Sequence, residues 1–314
     1  SWRPNQVGPF LSSKIARSMT DIENSAYFAE YSYNRNPDSF ALGAIALEAL
    51  IANGQIIEAL PIGLKISKNM PEITLAQYIS MIDSLNSNSY SKVLDILLNI
   101  SPNGIDNFIL PILQTWAAAG SNKELGGLEI MKGQANRGVL DPLYDYQSAL
   151  IYEFIGDIEN AHISYKNIIK RSNNANAHVY SRAAIFFANN NLPDLYSETL
   201  NKLETIDPYS NELFILKKNE NYAKETKISN IKQGISEVFL NSAEILFNEG
   251  LDRQALIYAQ ISSYLEPNSD SANYLLGRIF KSINNNERAI KYFKKVNEYS
   301  LVIHDANTAY AETL

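Results

Sequence analysis

The chain has no cysteine. Disulfides, thiolate catalysis and cysteine-held metal sites are excluded together, and an oxidising compartment remains compatible with that absence. Glycine (14) and proline (11) are sparse in 314 residues, which suits helices because both residues disfavour them. No apolar run reaches the ~18–20 residues that a membrane-spanning helix needs. Basic side chains are the minority, with 27 Lys and Arg against 34 Asp and Glu and a net charge of −7. That balance argues against nucleic acid, whose phosphates call for a basic face.

Reactive constellations are missing too. The three histidines, His162, His178 and His304, share no helical i, i+3 or i, i+4 relation with one another. A metal would therefore have to recruit ligands from distant segments, and exposed or capping histidines are the expectation. Gly126-Gly127 and Gly133 lack the Lys-Ser/Thr that grips phosphate, and no Gly-x-Ser-x-Gly elbow is present. Acidic pairs such as Asp157/Glu159 and Asp145/Glu153 read as solvated helix faces. The expectation is a protein that is not an enzyme, with no catalytic residue, no metal and no cofactor.

What is present is a period. At an offset of 34 along Ser242–Tyr299, Ala243 falls on Gly277, Leu246 on Phe280, Ala255 on Ala289 and Ala259 on Phe293. Small residues stand where two helices must touch and bulky ones where each helix fills the next. Pro267 closes the first copy. The order Leu276, Gly277, Phe280, Ala289 and Phe293, with Asn273 in place of the usual Trp, resembles the tetratricopeptide repeat, a 34-residue pair of antiparallel helices A and B. Such a pair cannot bury its apolar face alone and needs neighbours.

Earlier units keep the spacing. Leu47, Leu50, Gly54 and Ala59 form one unit, with Gly54 as its turn, and Ala149, Tyr152, Gly156, Ala161 and Tyr165 form another. Asp21 is a candidate N-cap, Pro37 a helix stop, and Ser101–Gly104 a turn. Pro61 and Pro111 are expected near the start of a helix or at a bend. Leu125–Leu140 is the least regular part of the first half. The predicted fold is all-α: an α-solenoid, a right-handed superhelix of about eight helix–turn–helix units. Residues 1–210 form an N-terminal array of about six units, 211–235 an irregular insertion packing on the stack, and 236–314 the C-terminal units plus an unpaired helix.

A wider resemblance runs through Gly8-Pro9-Phe10, Ile15-Ala16-Arg17, Asp21, Pro37-Asp38, Leu113–Gly120 around Trp116, Gly156-Asp157, Leu265-Glu266-Pro267 and Leu275-Leu276-Gly277. It is similar to a family of alphaproteobacterial tetratricopeptide proteins, usually longer and often exported. The resemblance implies a bacterial periplasmic or exported protein whose signal peptide has been removed. It implies no catalytic residues.

In such solenoids the A helices line a concave wall. The fifth positions of successive units are Phe10, Ala44, Tyr78, Leu110, Tyr146, Ser181, Leu240 and Tyr274, an aromatic-rich stripe. The ninth are Lys14, Glu48, Ile82, Gln114, Leu150, Ile185, Glu244 and Arg278. The Lys and Asn that family members use to clamp acidic tails are absent from these positions. The expected function is a scaffold that holds a peptide or partner protein in the concave groove through Phe10, Tyr78, Tyr146, Tyr274 and Arg278. Tyrosine suits this role by adding contact area at low entropic cost with a polar tip. The competing reading has these rings merely packing between neighbouring A helices. Two further readings are a self-assembling module docking through Tyr310 and Leu314 of the last helix, and an accessory region of a longer protein.

Overall fold

The computed structural model describes residues 21–121, 141–170, 177–218 and 228–314. Phe10, the helix expected at Phe10–Met19 and Leu125–Leu140 lie outside the described residues. Sixteen helices and no strand occupy the described ones. They are α1 (Ile22–Arg35), α2 (Phe40–Ala52), α3 (Ile56–Asn69), α4 (Thr74–Asn86), α5 (Tyr90–Leu98), α6 (Asp106–Gly120), α7 (Asp141–Ile155) and α8 (Ile158–Lys170). They continue as α9 (Ala177–Asn189), α10 (Pro193–Ile206), α11 (Asn211–Lys218), α12 (Ile231–Asn248), α13 (Asp252–Leu265), α14 (Asp270–Ser282), α15 (Asn286–Phe293) and α16 (Ile303–Ala311).

Local chemistry explains the hairpins. Asp21, Ser39, Ser269 and Asn285 cap α1, α2, α14 and α15 by accepting a backbone N–H of the first turn, which satisfies a donor the helix leaves orphaned. Each A helix of α2–α3, α4–α5, α7–α8, α9–α10, α12–α13 and α14–α15 ends one way. A residue turns left-handed: Gly54 (φ 83°), Asn88 (54°), Gly156 (82°), Asn191 (57°), Gly250 (74°) and Asn284 (61°). The next N–H then reaches back to the helix, as Gln55 N to Leu50 O (2.9 Å) and Asn285 N to Phe280 O (2.8 Å). This is the Schellman closure, and Gly and Asn are the residues that tolerate it. The structural period is thus visible at the turns: Gly54 to Asn88 and Gly250 to Asn284 are both 34 residues. Glycine marks half of these turns and asparagine the rest.

Packing follows from the small residues. A Cβ on Gly277 would sit 2.3 Å from the Phe293 ring, so α14 and α15 approach as closely as they do only because that side chain is missing. Pro61 and Pro111 are each the sixth residue of their helices, α3 and α6. Both lie beyond the first turn, so each removes an intrahelical hydrogen bond.

Successive hairpins stack, but the last units do not simply extend the array. α12 packs on α6 and α7, α13 packs on α2, and α16 packs on α11 and α15. The α12–α13 hairpin therefore folds back against the earlier A helices α2, α6 and α7. Its first helix begins at Ile231, inside the stretch expected to be irregular. Trp116 of α6 meets Gly234 of α12 so closely that a Cβ there would lie 2.5 Å from the indole.

Candidate functional site: the inner wall and its remaining cavity

The inner wall begins with residues of the A helices, and most of them are spent on the chain itself. Tyr78 of α4 is 1% exposed. Its hydroxyl donates to Asp106 Oδ1 at 2.6 Å, and Tyr258 of α13 donates to the same oxygen at 2.6 Å. The Tyr78 ring meets Phe239 of α12 edge-on, with centroids 5.2 Å apart. Tyr146 of α7 is 2% exposed and donates to Glu237 Oε1 of α12 at 2.8 Å. Trp116 donates its indole N–H to Gln147 Oε1 at 3.0 Å, and Gln147 passes its amide to Asn241 Oδ1 at 2.7 Å. Nearer the rim, Arg253 bonds Glu48 at 2.9 Å. Asn86 donates to Tyr264 at 3.1 Å, and Arg288 donates to the Asn53 carbonyl at 2.9 Å.

The expected groove residues therefore separate. Tyr78 and Tyr146 are almost wholly covered, Tyr78 by α12 and α13 and Tyr146 by α12, and only the edge of Tyr146 borders a cavity. Phe10 lies outside the described residues. Tyr274 and Arg278 of α14 are half-buried. Tyr274 leans on Phe293 (6.2 Å), and the Arg278 guanidinium lies 5.6 Å from the Tyr274 ring and 5.0 Å from that of Phe247. The last helix is not unpartnered either. α16 rests on α11 and α15, with Lys294 5.4 Å from the Tyr310 ring.

One opening that remains is a cavity of about 380 Å³ among α9, α12, the N-terminus of α14 and the turn before α16, with apolar as well as polar surface on its walls. Tyr146, His178, Arg182, Glu237 and Ser300–Val302 are on its walls. His178 Nε2 lies 2.9 Å from Glu237 Oε1. Burial works against the charged imidazole, but Glu237, with Glu244 and Glu212 beyond it, outweighs that and raises His178 to about 9. The same pairing overcomes burial of Glu237 and holds its carboxyl below the usual range. Glu212 of α11 goes the other way. Burial, with Asp305 and Glu244 near it, lifts it to about 7 against the pull of His178 and a hydrogen bond from Ser181. Deeper in, Arg182 and Tyr165 both donate to Glu153 Oε2, at 3.3 and 3.0 Å. Buried charges here are paired or hydrogen-bonded, as the cost of leaving them bare requires.

Sequence reasoning missed Asp106, Gln147, Asn241 and Glu237, and it read His178 as an exposed or capping residue. His178 instead forms a partly buried ion pair. The one linear signal was a polar residue on an otherwise apolar helix face, such as Asn241 between Leu240 and Ala243, and nothing in the spacing names its partner. Among the described residues no group of three or more His, Asp or Glu could hold a metal ion. No described helix is long and apolar enough to cross a membrane.

The hairpin α14–α15 and the turn after it, residues 270–301, match the family model of the tetratricopeptide repeat. One hairpin of the chain is thus similar to a tetratricopeptide repeat. The same hairpin geometry recurs along the α-solenoid. Solved structures with a similar chain course include the tetratricopeptide-repeat domain of P58(IPK), 12% identical over 98% of this chain and 97% of that one, with a TM-score of 0.32. Yeast Tom70 is 13% identical over 98% of this chain and 88% of that one, with a TM-score of 0.24. At this identity and with superpositions this loose, neither likeness carries an argument about fold or partners. No curated protein sequence matches.

Proposed function

We propose that the protein is a non-enzymatic interaction scaffold that holds a segment of a protein partner at the unfilled end of its inner wall, beside Tyr274 and Arg278. The carrying observation is the contrast along that wall. Tyr78 and Tyr146 are covered by the chain's own α12–α13, while Tyr274 and Arg278 keep part of their surface free on the helix whose N-terminus lines the cavity. A tyrosine ring with a guanidinium over it offers apolar area, a hydroxyl and a charged donor set in one place. The tetratricopeptide hairpins support the scaffold reading in general, and the paired state of the buried charges supports a structural use for them. An exported or periplasmic bacterial setting belongs to the same proposal and is checked by fractionating native cells.

The test is crosslinking in native cells followed by enrichment of wild type, of the double variant Tyr274→Ala/Arg278→Ala and of Tyr27→Ala. Tyr27, 61% exposed on α1, lines a separate recess with Asn53 and Arg288 and serves as a control outside the Tyr274–Arg278 surface. Circular dichroism establishes that each variant is folded. A partner retained by wild type and Tyr27→Ala and lost by the double variant supports the reading. Equal recovery by all three removes it.

A further inference from the structure

The chain holds two Asn-Gly pairs, Asn53-Gly54 between α2 and α3 and Asn103-Gly104 between α5 and α6. Such a pair is open to internal attack, because glycine has no side chain to keep its backbone nitrogen away from the asparagine amide. The fold treats the two differently. Asn53 is half-buried and clamped. Its side-chain amide donates to Gln55 Oε1 at 2.7 Å. Its Oδ1 and its backbone carbonyl both accept from the Arg288 guanidinium of α15. The Gly54 N–H donates to Ile51 O at 2.9 Å. A guanidinium on Oδ1 polarises that carbonyl, but the amide is tied at both ends and the nitrogen's proton is engaged. Attack there requires the turn to open first.

Asn103-Gly104 has none of these restraints. Both residues are exposed. Among the described residues no hydrogen bond engages the Gly104 N–H or the Asn103 side chain. A Cβ on Gly104 would meet nothing within 4 Å, so no neighbour crowds the nitrogen. We propose that Asn103-Gly104 is a self-modifying site that deamidates to aspartate and β-linked isoaspartate in the folded chain, while the fold protects Asn53-Gly54. The Gly104 nitrogen gives up its proton to solvent base and bonds to Asn103 Cγ. The Cγ–Nδ2 bond breaks, and the amide leaves as ammonia. Water then opens the cyclic imide at either carbonyl. Opening at Cγ leaves aspartate. Opening at the backbone carbonyl leaves the chain running through Cγ and frees a carboxylate. In that second product the carbonyl that accepted from Asp106 N at 3.0 Å belongs to the free carboxylate. The chain is also lengthened just before Asp106, the residue that Tyr78 and Tyr258 both grip. Either product adds a negative charge close to the N-terminus of α6.

The full chain is incubated in mildly alkaline buffer, folded and in parallel unfolded in urea, and mapped by peptide mass spectrometry over time. Conversion is read at each asparagine from the mass gained when the amide becomes a carboxyl, and the β-linked product is told apart by its fragmentation. In the folded chain Asn103 should convert at least about tenfold faster than Asn53, since several hydrogen bonds must break before Asn53 can react. In urea the two should convert within about twofold of each other, because the clamp is gone and the dipeptide is the same. The Asn103→Gln variant should lose the conversion at that site and keep the circular dichroism of wild type, because position 103 is exposed. Three results overturn the proposal: Asn53 keeping pace with Asn103 in the folded chain, Asn103 staying intact while the unfolded chain reacts, or the tenfold difference persisting in urea.

Discussion

The pair His178–Glu237 gives stability a definite pH dependence. His178 is raised from 6.5 to about 9 in the folded chain. The folded state therefore holds its proton more tightly than the unfolded state does. The resulting stabilisation is complete below pH ~6.5 and is lost as pH rises toward about 9. A shift of this size corresponds to an upper bound of about 3 kcal/mol. The side chains keep 27% and 18% of their surface exposed at the cavity wall, so screening reduces the expectation to about 1–2 kcal/mol. Glu237 is lowered, so its contribution disappears only on acidification below the ordinary carboxylate range, and Glu212, raised to about 7, loses its contribution between about 4.5 and 7. Urea unfolding from about pH 7 to about pH 9, followed by circular dichroism, should show wild type losing about 1–2 kcal/mol more than His178→Gln. The imidazole signal of His178 should titrate late by NMR, and with three histidines in the chain assignment by substitution is direct. Parallel stability curves for wild type and variant, with an imidazole titrating near 6.5, would refute the reasoning.

Two further substitutions probe the seal and the repeat. Gln147→Ala strips the partner from both the Trp116 indole and Asn241, and two buried groups left unpaired should cost about 2–5 kcal/mol in urea unfolding. Gly277→Ala drives a methyl into the Phe293 ring, 2.3 Å away before any relaxation, and should lower thermal stability by about 1–3 kcal/mol, whereas an unchanged melting temperature would show that α14 and α15 do not need their close approach.

Much of the helical array could be read without coordinates, and particular residues show why. Gly277 and Phe293 lie in one hairpin, and Gly54 and Ala59 in another, so each of these features is fixed by neighbours within about one repeat length. The asparagine turns at Asn88, Asn191 and Asn284 were not read from the sequence: Asn also accepts the left-handed conformation, but polar loop residues hide among others of their kind. The candidate site was much less legible. Tyr78, Tyr146 and Tyr274 occupy equivalent positions in their units, yet two are buried and one is partly free. Equivalent sequence positions carry the same local instructions and cannot encode what a distant element later lays over them.

The sequence by itself determined helices, turns and the order of hairpins, because apolar spacing and capping act over a few residues at a time. It also determined that the fifth positions of the units would be largely apolar and aromatic. Only the tertiary structure decided what covers them. An aromatic inner wall is equally suited to a foreign peptide and to a helical hairpin of the same chain. The choice lies in contacts such as Asp106 with Tyr258, Tyr146 with Glu237 and Glu48 with Arg253. These join residues far apart in sequence, where no periodicity reaches and only the curvature of the assembled stack brings the partners together.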